Sequence, residues 1–216
     1  MYLPSHFEQR DPAVLQRLMR DHPLATLVTL GSGGLNANHI PLHWSAGPAP
    51  FGTLRGHVAR ANPLWSDLKS EVEALAVFLG PQAYVSPNWY PTKKQSGRVV
   101  PTWNYVAVHA TGALRVIQDA GWLRALLDTL TSVHESALPA PWQVSDAPEP
   151  YIATMIANVV GIEMVLTGLA GKVKASQNQP EPNRAGVDAA LRAAGTDEAA
   201  AMAAWVKDPA GTAGPN

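Results

Sequence analysis

Short apolar or alternating runs, each closed off by glycine or proline, recur from residue 25 to residue 169 and set the class of fold open to the chain. ATLVTL (25–30) leads into the turn GSGG (31–34). A second run through Asn38-His39-Ile40-Pro41-Leu42-His43-Trp44 then predicts a β-hairpin. Further strands are predicted at 51–58, at 74–79 (stopped by Gly80-Pro81), at 106–117 and at 159–169. Gly112 inside the fifth of these six runs points to a bulge or a close backbone approach. Helical spacing belongs to other places. It appears after Asp11-Pro12, in a short turn after Asn62-Pro63, along Trp122, Leu123, Leu126, Leu127 and Leu130, and at 151–157, 183–194 and 198–206. Mostly antiparallel strands with helices set between and after them predict an α+β domain built on a small barrel.

Several chemistries are disfavoured by residue type. The chain has no cysteine, so disulfides and thiolate metal sites are out. His39 and His43 are four apart, but Pro41 between them predicts extended backbone, which separates them by ~13 Å and prevents joint chelation. His134-Glu135 lacks the second histidine of a zinc-protease helix, and no Walker, Rossmann or nucleophile-elbow glycine motif is present. A formal net charge of −1 gives no global attraction to nucleic acid. Neither a signal peptide nor an apolar run long enough for a membrane span is visible, so a cytoplasmic, non-membrane protein is expected.

Two segments combine the residue types that a heterocyclic anion needs. LRGHVARANP (54–63) ends a strand and opens a helical turn, and Arg55, His57 and Arg60 are all donors suited to phosphate. YVSPNWYPTKKQSGRVVPTWNYVAVH (84–109) crowds Trp89, Tyr90, Trp103 and Tyr105 among Asn88, Thr102 and Asn104. Flat apolar faces with a few directional polar groups are what a ring-binding wall requires. For each aromatic alone, core packing is the simpler reading. GKVKASQN (171–178) sets Lys172 and Lys174 on one face of an extended segment, either as a solvated basic edge or as a second anion contact.

MYLPSHF (1–7), HIPL (39–42), GHVARANP, FLGPQAYVSPNWY (78–90), VVPTWNY (99–105) and GKVKASQN occur in this order. Together they resemble the PaiB-type family of FMN-binding negative transcriptional regulators. The likeness spans residues 1–192, the FMN-binding domain; an Ala-rich helix and tail (193–216) lie outside it. Gln179 departs from the family, which carries a basic residue after SQN. The resemblance implies an FMN-binding split β-barrel of the pyridoxine-phosphate-oxidase-like class, with peripheral helices and a flavin held between the two subunits of a homodimer. It gives the cofactor contacts Arg55, Gly56, His57, Val58, Arg60 and Asn62 from the first segment. It adds Thr102, Trp103 and Asn104 from a cofactor-facing strand, and Lys172, Lys174 and Gln177. Two functions follow from it: a flavin-dependent regulator or flavin oxidoreductase, or a transcriptional repressor acting through DNA or partner binding without catalysis. A related haem-handling group makes haem at His57 a minor alternative.

Overall fold

The structure, a computed structural model, describes residues 1–48, 50–69 and 72–212. After a two-residue strand, β1 (Glu8–Gln9), the Asp11 carboxylate accepts from Ala13 N at 2.9 Å and caps α1 (Pro12–Asp21). Pro12 sits at the first helical position, where no N–H is needed. Val14, Leu15, Leu18 and Met19 are buried, as their spacing predicts.

The expected hairpin is formed by β2 (Leu24–Gly31) and β3 (Gly34–Pro41), paired from Leu24 opposite Pro41 to Gly31 opposite Gly34. Gly34 has φ +103°, a conformation that penalises any side chain. The Asp67 carboxylate ties the turn down by accepting from Ser32 N at 3.0 Å.

Two strand expectations need correction. The second hairpin arm does not continue through Trp44. The chain breaks at Leu42, whose N–H donates to Pro23 O at 2.9 Å and whose side chain is buried beside Gly56. His43–Ser45 becomes a separate strand, β4, paired with β5 (Thr53–Ala59). His39 and His43 therefore belong to different strands. Gly80-Pro81 also fails to stop its strand: β6 runs from Ala74 to Val85. β6 is registered with β2 at Leu75, Ala76 and Val77, so Pro81 lies past that pairing, where a missing N–H removes no bond to β2.

Helix α2 (Lys93–Ser96) is followed by β7 (Thr102–Ile117), which starts directly after Pro101. α3 (Ala120–Glu135), α4 (Glu149–Ala157), β8 (Val159–Lys174), α5 (Glu181–Ala193) and α6 (Asp197–Lys207) complete the chain. Among the described residues the sheet has eight strands, in the order β3-β2-β6-β7-β8-β5-β4, with β1 beside β8. All the registered pairs are antiparallel.

Two compact units divide the chain. The first takes residues 1–22, 78–109 and everything from 170 on; the second takes 23–77 and 110–169. The first contains α1, α5 and α6. In the second, Leu123, Val144, Ile152 and Ile156 form a buried cluster under α3 and α4. Part of the predicted unstructured tail is tied down: Ala210 O accepts from Gln9 and Gly211 O from Arg17, both in the first unit. The last four residues of that tail lie outside the described residues.

Candidate flavin site

In the first unit, β7 enters the sheet at Thr102, and successive side chains of a strand point to opposite faces. Burial follows that rule: Thr102 is half-buried, Trp103 exposed, Asn104 1% exposed and Tyr105 half-buried. Thr102 and Asn104 line a small polar pocket of about 160 Å³, shared with Tyr90, Lys174, Ser176 and Gln179. Trp103 stands on the opposite face, edge-on to Tyr84 with ring centres 6.1 Å apart. The sheet therefore divides the expected Thr102–Trp103–Asn104 wall between its two sides.

The pocket is built mainly by the turn after β8. Ser176 has φ +64°, a strained left-handed conformation for a residue with a side chain. Its hydroxyl accepts from Asn104 Nδ2 at 2.9 Å. Gln177 holds this turn in place: its Oε1 accepts from Ala175 N at 2.7 Å and its Nε2 donates to Val173 O at 2.5 Å. Lys174 Nζ donates to Thr102 Oγ1, and burial lowers its pKa. Tyr90 is buried, which raises the pKa of its hydroxyl. Behind the pocket, Asn183 accepts from Thr92 Oγ1 at 3.0 Å and donates to Gln179 Oε1 at 2.9 Å. Lys172 is occupied elsewhere. It is buried, donates to Tyr2 O at 3.0 Å, and lies 5.3 Å from the Tyr105 ring centre.

The second unit holds the GHVARANP segment. Gly56 packs so closely on β3 and its exit that a Cβ would meet Leu42 Cδ2 at 2.8 Å and Pro41 O at 2.9 Å. Val58 is a core residue. Arg60 and Asn62 are engaged within the protein. Arg60 donates to Ala157 O (2.7 Å), Val159 O (3.0 Å) and Gln118 Oε1 (3.0 Å), with its guanidinium 5.8 Å from the Trp65 ring centre. Asn62 Oδ1 caps Leu64 N, and its Nδ2 donates to Asn38 Oδ1. His57 differs from both: its buried Nδ1 has no hydrogen-bond partner among the described residues. Burial lowers its pKa, so the ring is neutral at pH 7.

Arg55 brings in two residues that sequence reasoning missed. Its Nε donates to Glu163 Oε2 at 2.8 Å, across a register that sets Arg55 opposite Glu163 on β5 and β8. Arg115, from β7, donates to the other carboxylate oxygen through Nε at 2.9 Å and through Nη2. Glu163 is 3% exposed. Burial pushes its pKa up, but the hydrogen bonds from Arg55 and Arg115 outweigh that and hold it below the ordinary carboxylate value. One signal was available in the sequence: Glu163 is the lone charged residue in the apolar run 159–169.

These features fit a flavin nucleotide. In the second unit, an orphaned buried imidazole nitrogen and a pair of arginines are groups of the kind that a flavin nucleotide's polar atoms and phosphate require. Taken by itself, the first unit's pocket offers hydroxyl and amide groups suited to a polar ligand edge. Among solved structures, the chain resembles the flavocytochrome Anf3 of Azotobacter vinelandii: TM-score 0.56, 13% identity, 83% of this chain and 75% of that one. It likewise resembles the FAD- and haem-binding protein of Mycobacterium smegmatis: TM-score 0.56, 16% identity, 77% and 73% covered. The fold is thus the split barrel of flavin-binding proteins. The family model described as "Putative FMN-binding domain" matches residues 1–168, and the chain belongs to that family, whose ligand is FMN. An uncharacterized protein of Emericella nidulans is 33% identical, covering 96% of this chain and 97% of its own. The "protease synthase and sporulation protein PAI 2" of Bacillus subtilis is 26% identical over the same shares. Family and relative together make this an FMN-binding protein of the PaiB type.

Proposed function

We propose that the protein is a homodimeric, FMN-dependent oxidoreductase. One observation carries the reading: the buried His57 Nδ1, without a partner among the described residues, is a ready-made polar contact in a chain of an FMN-binding family. Bound FMN supplies hydride or electron transfer, and the protein supplies position and electrostatics. Neutral His57 offers a ring nitrogen as donor or acceptor. Lys174 places a cation with lowered pKa beside a hydroxyl, suited to an electron-rich carbonyl edge. Lys172 and Gln177 act as supports of that segment. The second copy is assigned to the exposed Tyr84–Trp103 face, because paired aromatics half open to solvent are characteristic of interface centres.

The test is the absorbance spectrum of the protein after incubation with FMN and desalting, read together with its mass by light scattering. A flavin spectrum near stoichiometry on a dimer is expected, and FMN-dependent NAD(P)H consumption establishes turnover. Colourless protein overturns the reading. Dimeric flavoprotein that consumes no reduced nicotinamide, yet binds duplex DNA in a salt-sensitive way, transfers the function to regulation.

A further inference from the structure

The Arg55–Glu163–Arg115 cluster opens onto a cleft of about 600 Å³ in the second unit, bordered also by Gly47, Thr53 and Val165. An ion pair that only held strands together would need one cation for one carboxylate. Here one buried carboxylate serves two guanidiniums, and each oxygen of Glu163 is taken by a different arginine. The cluster therefore keeps an excess positive charge, and its side chains are 41% (Arg55) and 69% (Arg115) exposed. Glu163 fixes both guanidiniums and leaves donors on each: Arg55 gives it only Nε, keeping both terminal nitrogens, and Arg115 gives it Nε and one N–H of Nη2, keeping Nη1 and the other Nη2 hydrogen. Two guanidiniums fixed on one carboxylate and lining one cleft can each turn their remaining terminal N–H groups to a tetrahedral oxyanion.

The geometry points to a phosphoryl-binding clamp formed by Arg55 and Arg115, with Glu163 as the positioning residue between them. Two sources carry this chemistry: the phosphate of FMN itself, which rests on the flavin reading above, and the phosphate of a second, nucleotide-like ligand. Their shared feature is a dianionic group that draws the two like charges together. Arg115 becomes a binding residue under either source.

The experiment has two arms on the full chain. In the first, the melting temperature of wild-type protein and of Arg115→Ala is followed in sodium phosphate and in sodium chloride of equal ionic strength. Phosphate is expected to raise the wild-type value above the chloride control, and Arg115→Ala to lose that increment while keeping the wild-type fold by circular dichroism. In the second arm, FMN and riboflavin are titrated into both proteins. If FMN supplies the phosphate, Arg115→Ala weakens FMN by on the order of tenfold or more and leaves riboflavin within about twofold, as loss of a charge-assisted contact requires. If FMN affinity is unchanged while the phosphate increment disappears, the clamp serves a second phosphorylated ligand. Arg115→Lys keeps the charge but not the fork and is expected to retain less than half of the phosphate increment. Phosphate increments that are equal in wild type and Arg115→Ala, or absent from both, overturn the clamp. Wild type that binds neither flavin but keeps an Arg115-dependent phosphate increment overturns only the flavin reading.

Discussion

Glu163 carries a charge in the middle of a strand whose neighbours Ile162 and Met164 are each 1% exposed. A buried carboxylate survives there only because two cations hydrogen-bond it, and deleting one side of such a pair costs about 3–5 kcal/mol when the other charge is left buried. The pH consequence has a definite sign. Burial acts to raise the Glu163 pKa, the bonds from Arg55 and Arg115 lower it further than burial raises it, and the folded value ends below the unfolded one. Its stabilisation is present above the unfolded carboxylate value and is lost as pH falls through the depressed folded one. Urea unfolding from pH 7 down to pH 3 is therefore expected to show stability falling below about pH 4.5. In Glu163→Gln, less stable at neutral pH, that fall becomes shallower; parallel acid profiles for the two proteins would remove Glu163 from the account. Legibility at this scale was uneven. LRGHVARANP announced the neighbourhood, since it holds Arg55 and His57. The partners Glu163 and Arg115 could not be read, because only the register of three strands brings residues so far apart in sequence together. Arg60 shows the converse: its type suggests phosphate, and within the chain its nitrogens donate to Ala157 O, Val159 O and Gln118.

Strands were legible where local chemistry decides them and obscure where a neighbour does. The GSGG turn and its flanking alternation suffice for the β2–β3 hairpin. The continuation of β6 through Gly80-Pro81 runs past the point where β2 begins, which no signal local to β6 records. Gly112 belongs to the legible class. The sequence pointed to a bulge or a close approach, and the approach is the reason: a Cβ there would meet Val165 O at 2.2 Å and Val165 C at 3.0 Å. Those are backbone atoms of the adjacent strand β8 and cannot swing aside. Gly112→Ala is expected to force β7 and β8 apart and to destabilise by about 1–3 kcal/mol or more, in line with overpacking of a close contact. Equilibrium denaturation checks this. Ala at Gly33, where nothing lies within 4 Å of the added Cβ, is the matched control and is expected to change little.

At the scale of the chain, the family model ends at residue 168, and the sequence resemblance made everything after residue 192 an appendage. In the first unit, α6 is part of a core. Thr196 Oγ1 accepts from Ala199 N and starts the helix, and Met202 and Ala203 are 0% exposed, with Val206 at 3%. Its partner α5 buries Val187 and Leu191 at 0% and 2%. The period was readable, but an Ala-rich sequence carries so little apolar side chain that its docking was not. Burial of Met202 and Val206 alone corresponds to roughly 3–6 kcal/mol, an upper estimate. That is comparable with the ~5–15 kcal/mol by which whole domains are stable. A chain ending at Ala194 loses this contribution and exposes the α5 face it covered. We expect its melting temperature to fall by at least about 10 °C, or its soluble yield to collapse, since 1 kcal/mol moves a domain of this size by ~2–4 °C. A truncated protein that melts within about 2 °C of the full chain would return α6 to the status of an appendage and leave residues 1–194 as the complete folding unit.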